Sequence, residues 1–312
     1  MDWGLMVPEK AGNRGAQRHL PRTQGPEFQF RNKVILGDAS TQLKKFPSQS
    51  VDCVVTSPPY FQQRDYGVES QIGSEKCPAE YVANLKKIFE ELKRVLKPTG
   101  TVWLNLGDKY KQGNQTGMPW RVAIQLMDDG WRLRNEIIWH KPNAMPSPVK
   151  NRLTVDHETI FFFVRNAKYF YDADAIREPH VTFSETSKMK GGRKHFGTRG
   201  GTPESGKNRG KSNLHDGRWD QAFHPKGRNK RTVWSIPLSK NRDAHFAVFP
   251  KKMVETCVQA GCPAKGIVLD PFCGTGTTLV VAQELGRDFV GIDCSKEYCS
   301  ISRANLKENQ VP

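Results

Sequence analysis

Apolar residues along this chain fall into two alternating spacings. Short apolar runs of the kind a strand buried on both faces requires occur at 33–38 (KVILGD), 51–55, 101–106, 134–140, 159–165, 267–269 and 289–292. Between them the spacing lengthens to that of a helix. Tyr81, Leu85, Ile88, Phe89, Leu92, Val95 and Leu96 share one stripe of a helix predicted over 80–96 and stopped by Lys97-Pro98-Thr99-Gly100. Further helices are predicted over 119–129, with proline in the first turn and Gly130 after the end, over 254–260, over 277–285, closed by Gly286, and from about 296 to 307. Strands and helices in alternation imply an α/β fold, a mainly parallel sheet covered on both faces.

Two segments break the pattern. Residues 1–30 are polar and contain proline and glycine, the composition of a mobile arm. Residues 181–232 carry thirteen Lys/Arg against four Asp/Glu, nine glycines and almost no apolar periodicity. Such a segment cannot bury enough surface to fold firmly alone, and its charge suits a polyanion. It therefore holds over half of the chain's net charge of +16, which with a pI near 9.6 favours a nucleic-acid partner. No apolar run approaches the ~18 residues of a membrane span, and MDWGLMVPEKAGNRG lacks the apolar core of a signal peptide. Seven cysteines do not read as a disulfide framework in a chain of 312 residues, so a reducing, intracellular location is expected. Cys257-x4-Cys262 and Cys294-x4-Cys299 lack the tight knuckle spacing of structural zinc sites, and no metal is expected.

Two motifs carry the chemistry. Thr56-Ser57-Pro58-Pro59-Tyr60 ends the apolar run 51–55, and Asp270-Pro271-Phe272-Cys273-Gly274-Thr275-Gly276-Thr277-Thr278 ends the run 267–269. In the second, Gly274 and Gly276 allow a sharp turn and a close approach of backbone to ligand. The helix that follows presents free N–H groups to an anion. Asp293, at the end of the next strand, stands where an acid hydrogen-bonds ribose hydroxyls. The third glycine of a dinucleotide fingerprint and the lysine of a P-loop are both missing, which disfavours NAD and ATP. These residues resemble the amino-group DNA methyltransferases, and the order of the motifs, SPPY before DPFxGxGTT, resembles their permuted β class.

The resemblance covers roughly residues 30 to 305. It implies a Rossmann-like fold dependent on S-adenosylmethionine (SAM), with a seven-stranded mainly parallel sheet, one strand antiparallel, in circularly permuted order. The strand at 33–38 would then be third in the usual cofactor half although first in this chain. It divides the chain into an arm (1–30), a catalytic half (31–180), an inserted basic target-recognition region (181–232) and a cofactor-binding half of the same domain (233–312). Asp38, Phe246, Asp270, Phe272, Gly274, Thr275, Gly276, Thr277 and Asp293 are the implied SAM residues, Asp38 near the adenine and Phe246 near the methionine end. Lys190, Arg193, Lys194, Arg199, Lys207, Arg209 and Lys211 are the implied DNA contacts.

The SPPY motif has a chemical rationale. An exocyclic amine of cytosine or adenine is a poor nucleophile because its lone pair is delocalised into the ring. The Ser57 hydroxyl and the Pro58 carbonyl are candidate acceptors for its two protons, Pro59 helps fix that carbonyl, and the Tyr60 ring would stack on an extruded base. Stacking is worth ~1–3 kcal/mol against a flipping cost of a few kcal/mol, so phosphate contacts must supply the remainder. There is no Pro-Cys dipeptide of the kind a cytosine-C5 enzyme uses. Ser-Pro-Pro-Tyr favours cytosine N4, with adenine N6 as the alternative. Methylation of RNA or of a protein glutamine, and a non-catalytic DNA-binding module, are the readings from other classes. Asn105 and Asp108 end the strand beside the expected pocket, either to touch substrate or to cap the following loop. Trp139, otherwise a core residue, and His140 precede Lys141-Pro142, where the resemblance implies contact with the flipped base, and His157-Glu158 reads as a structural pair. Double-stranded DNA is the expected partner. The resemblance also allows a second copy of the chain and a separate restriction endonuclease, and places the protein with DNA, in bacterial cytoplasm or nucleoid, or in a nucleus if eukaryotic.

Overall fold

Buried β-branched and aromatic residues on both faces of the central strands dictate a sheet enclosed between helices. The computed structural model describes residues 28–63, 71–179, 226–238 and 250–309. Its strands are β1 (Lys33–Leu36), β2 (Val51–Thr56), β3 (Leu96–Leu106), β4 (Tyr110–Lys111), β5 (Asn114–Gln115), β6 (Arg132–His140), β7 (His157–Val164), β8 (Val233–Ser235), β9 (Ile267–Asp270) and β10 (Asp288–Asp293). Its α-helices are α1 (Ala39–Leu43), α2 (Pro78–Val95), α3 (Met118–Asp128), α4 (Lys251–Gly261), α5 (Thr277–Glu284) and α6 (Lys296–Glu308).

The main sheet runs β1-β10-β9-β2-β3-β7-β6-β8. β7 is antiparallel to both of its neighbours, and every other pairing is parallel. The permuted order expected from the resemblance is therefore observed: β1 lies beside β10, with Leu36 opposite Asp293. One expectation needs correction. Among the described residues the sheet has eight strands rather than seven, because β8 adds a short parallel strand outside β6. Three residues, with only Trp234 buried among them, are too few to show a period in sequence.

The central strands feed two cores. Val54 belongs to one with Leu85, Leu92 and Phe161, while Cys53 and Val55 belong to the other with Val258, Leu279 and Val281. Helices α1, α2 and α3 thus cover one side and α4, α5 and α6 the other. Helix α2 ends one residue before the sequence suggests, since Leu96 already pairs with Val51 as the first residue of β3. The N-terminal boundary also moves. Phe28 is buried and Phe30 packs beside it against Phe46, so the folded body begins inside the segment assigned to the arm.

Polar side chains lock the central strands. Asp52, buried at the start of β2, accepts from Lys97 Nζ at 2.8 Å and from the Ile267 N–H at 2.9 Å. Because β1, β10, β9, β2 and β3 are parallel, their C-terminal ends meet along one edge of the sheet. That is where open α/β sheets place their ligands.

Candidate active site

A cavity of about 240 Å³ opens along this edge. Every strand from β1 to β6 across the sheet delivers a residue to it. Asp38 follows β1, Asp293 ends β10, Pro271 and Phe272 follow β9, Ser57 to Tyr60 follow β2, and Asn105 is near the end of β3. Glu158 begins the reversed strand β7, Trp139 and Lys141 come from the end of β6, and Leu238 lies beyond β8.

The two motifs, more than two hundred residues apart, line opposite sides of this one space. On one side the loop Phe272–Thr277 turns through Gly274 (φ +50°) and Gly276 (φ +88°), conformations that favour glycine. A Cβ on Gly274 would meet open space, whereas one on Gly276 would lie 2.3 Å from Ser302 Oγ on α6. Gly276 is thus required for packing, Gly274 for the turn that faces the cavity. Asp293 braces the loop: its Oδ2 accepts from the Gly274 N–H and its Oδ1 from the Ser295 N–H, both at 2.8 Å. Burial raises its carboxyl above the ordinary value. Asp38 caps α1, accepting from Ser40 Oγ at 2.5 Å and the Thr41 N–H at 2.9 Å. Burial works to raise its carboxyl, but those hydrogen bonds prevail and hold it below the usual range.

Phe272, Thr275 and Thr277 also line the cavity, whereas Asp270 and Gly276 lie beneath it. Asp270 is wholly buried. Its Oδ1 accepts from Thr56 Oγ1 at 2.7 Å and the Phe272 N–H at 3.1 Å, and its Oδ2 from Thr278 Oγ1 at 2.7 Å. It joins the ends of β2 and β9 and shapes the loop from below. Burial outweighs its hydrogen bonds and pushes its carboxyl up to about 6. A carboxyl that is easier to protonate folded than unfolded favours the fold at low pH. Its contribution is complete below the ordinary 3.8 and is lost as pH rises through about 6. Asp270→Asn removes this titration, so the variant should gain up to ~3 kcal/mol relative to the native protein between about pH 4 and pH 7. Denaturant unfolding across that range reads the difference, and parallel pH profiles would contradict it.

On the other side, Ser57 and Tyr60 belong to a polar cluster. Ser57 Oγ donates to Tyr60 Oη at 3.0 Å, and Tyr60 Oη donates to Glu158 Oε2 at 2.7 Å. Asn105 Nδ2 donates to Tyr60 Oη at 2.8 Å and to Glu158 Oε2 at 2.7 Å. Lys141 Nζ pairs with the other oxygen of Glu158 and lies 4.6 Å from the centre of the Trp139 ring. Burial, and then the neighbouring Glu158 carboxylate, drive the Tyr60 phenol well above its ordinary value, so Tyr60 keeps its proton. Gly107 makes the arrangement possible, since a Cβ there would come 2.7 Å from Tyr60 Cε2.

Sequence reasoning placed Ser57, Pro58, Pro59 and Tyr60 together, and all four line the cavity. It undervalued Glu158 as half of a structural pair and placed Lys141 near the base only through the family resemblance, without its pairing to Glu158. Asn105 is in the cavity wall, but Asp108 is a cap, accepting from Thr116 Oγ1 and from the Gly117 and Met118 N–H groups. Trp139 lines the cavity and donates from Nε1 to the Ile236 carbonyl at 2.8 Å, while His140 turns to Ser235. Phe246 and the basic set Lys190, Arg193, Lys194, Arg199, Lys207, Arg209 and Lys211 lie outside the described residues. Among the described residues, no helix is long and apolar enough to cross a membrane.

The chain has relatives among known proteins. A family model described as DNA methylase, N6_N4_Mtase, matches residues 51–304. The type II methyltransferase M.SmaI of Serratia marcescens is 37% identical over 303 residues, covering 88% of this chain and 90% of that protein. Among solved structures, PvuII DNA methyltransferase (cytosine-N4-specific) has a TM-score of 0.65 at 20% identity, covering 91% of this chain and 92% of its own. M1.HpyAVI, solved as a complex with SAM, has a TM-score of 0.53 at 17% identity, covering 88% of this chain and 98% of its own. At such identities the structural likeness is one of fold.

Proposed function

The chain belongs to the N6_N4_Mtase family of DNA methylases, and from that premise we propose that it transfers a methyl group from SAM to the exocyclic N4 amine of a cytosine extruded from duplex DNA. The observation that carries this reading is the single cavity between the two motifs. A small polar acceptor cluster faces a glycine loop braced by Asp293 across a space shared by both. The residues present fit SAM. Asp293 and Asp38 offer carboxylates for ribose hydroxyls and the adenine end, Phe272 and Pro271 an apolar wall, and the first turn of α5, at Thr277, offers N–H groups to a carboxylate. Phe246 is assigned to the methionine end by the family resemblance. When bound, SAM supplies an electrophilic methyl group.

The chain's own residues then prepare the amine. The Ser57 oxygen and the Pro58 carbonyl draw on its N–H protons and favour a pyramidal nitrogen whose lone pair is available. Tyr60, flanked by Pro59 and held by Glu158 and Asn105, offers its ring to the base. Trp139 and Leu238 close the side of the cavity from β6 and from beyond β8. Fixed acceptors of this kind act by positioning and preorganisation, with no covalent enzyme–base bond. The basic region 181–232, with Lys190, Arg193, Lys194, Arg199, Lys207, Arg209 and Lys211, supplies phosphate contacts that offset the cost of extrusion. M.SmaI is named a type II methyltransferase, and on this reading a separate endonuclease of matching specificity is the functional partner.

The family resemblance supports cytosine N4 over adenine N6, since Ser-Pro-Pro-Tyr is the string typical of its cytosine-N4 members and the structural neighbour from PvuII is named cytosine-N4-specific. The test is direct: incubate the protein with SAM and unmethylated plasmid DNA, digest to nucleosides and identify the product by mass spectrometry. N4-methylcytosine is the expected product. N6-methyladenine would overturn the base assignment and leave the cofactor side standing. Methylation of RNA or protein in place of DNA would overturn the substrate.

A further inference from the structure

The polar cluster beneath the base side of the cavity has a fixed hydrogen-bond sense, and Glu158 determines it. A carboxylate can only accept. Tyr60 Oη lies 2.7 Å from Glu158 Oε2, a separation that two oxygens tolerate only with a proton between them, so the single Tyr60 proton is committed to Glu158. Tyr60 Oη can then only accept from its other neighbours, Ser57 Oγ at 3.0 Å and Asn105 Nδ2 at 2.8 Å. The single Ser57 proton is in turn committed to Tyr60, which leaves the Ser57 oxygen with lone pairs alone for the cavity.

Asn105 enforces the same sense. Its Nδ2 spans Tyr60 and Glu158, while its Oδ1 is buried without a hydrogen-bond partner among the described residues. Turning the amide over would set that oxygen against the Glu158 carboxylate, acceptor against acceptor. The orientation that leaves Oδ1 unpartnered is therefore the one the carboxylate selects. Lys141 holds the remaining oxygen of Glu158 from the end of β6. One carboxylate thus orients three donors: Lys141, Asn105 and Tyr60.

We infer that Glu158 is a positioning residue which sets the donor sense of the Tyr60–Ser57 pair, so that Ser57 meets the substrate amine as an acceptor. The inference rests on the amine-methylation reading above. Its logic shows in the amide replacement. In Glu158→Gln, the Lys141 ammonium claims the amide oxygen, a charge-assisted bond, and the amide nitrogen faces Tyr60 as a donor. The Tyr60 proton is then no longer committed: the Asn105 amide, facing a donor, turns over to share it with Ser57, and whenever it passes to Ser57 the Ser57 proton is displaced toward the cavity, where an amine proton should be received.

The experiment compares the native protein, Glu158→Gln, Tyr60→Phe and the double variant in single-turnover methyl transfer. Equilibrium binding of SAM and of DNA is measured beside it, with the 13Cζ resonance of labelled Tyr60 as a readout independent of turnover. Glu158→Gln should slow transfer by about 100-fold, the scale of losing one preorganised polar contact, with both affinities within about threefold, and should shift the Tyr60 resonance. Tyr60→Phe keeps the ring but removes the link, so adding Glu158→Gln to it should cost little more. Transfer at the native rate in Glu158→Gln, or equal slowing with and without the Tyr60 hydroxyl, would overturn the inference. If Glu158→Gln does not fold, Tyr60→Phe alone decides, since a native rate there also overturns it. A native protein that methylates no amine fails the underlying reading instead, and that result is visible before any variant is made.

Discussion

Ser57→Ala should lower single-turnover methyl transfer by about 10²–10³-fold while SAM affinity stays within about threefold. The expectation follows from where Ser57 sits. It follows β2 on the side of the cavity opposite the glycine loop, and its hydroxyl bonds to Tyr60, not to the loop 272–277. Alanine removes the oxygen that faces the amine and leaves the Pro58 carbonyl, the Tyr60 ring and the whole cofactor side in place. The core should also be spared, since Ser57 is only partly buried and no strand pairing depends on its side chain. Rapid-quench transfer from labelled SAM, with calorimetric SAM titration beside it, separates the two effects. A variant transferring at the native rate would remove Ser57 from the chemistry.

Asp293→Ala should reverse that pattern, weakening SAM binding by about 10- to 100-fold, the equivalent of one charge-assisted hydrogen bond. Its carboxylate does two things at once. It is a candidate acceptor for ribose hydroxyls, and it receives the Gly274 and Ser295 N–H groups, which fixes the loop against the end of β10. Losing it removes the ligand contact and releases a loop already bent through two left-handed glycines. With saturating SAM, much of the transfer rate should return, as it would not for Ser57→Ala. Unaltered SAM affinity would show that Asp293 serves the loop alone.

The contrast explains which parts of the molecule sequence could reveal. The strands at 51–56 and 267–270 are apolar on both faces, and glycine and proline mark the turns that follow them, so the two walls of the cavity were legible. Asp293 was legible by its place at the end of the next strand. Helix α1 was not, because only Ala39 and Leu43 of its five residues are buried. Glu158 was visible as a residue but not as a member of the site. Its position depends on the antiparallel register of β3 and β7, where Leu106 faces Thr159 and Glu158 comes next, beside Gly107 and the Tyr60 ring. That register joins residues some fifty to a hundred positions apart, and no local period encodes it. Asp270 misled for a related reason. Its place in the glycine motif suggests ligand contact, but the hydroxyls of Thr56 and Thr278 enclose it below the loop.

The permuted strand order has a consequence in time. Val54 in β2 pairs with Leu269 in β9, 215 positions later in the chain. A ribosome adding ~5–20 residues per second completes β2 roughly 10–40 s before β9 exists. Throughout that interval a strand buried on both faces in the finished protein has one hydrogen-bonding edge open. The SPPY wall of the cavity is thus translated first, yet the cavity stays half-walled until nearly the last segments emerge. The nascent chain must shelter that edge from other strands, as it must β1, whose partner β10 is made later still.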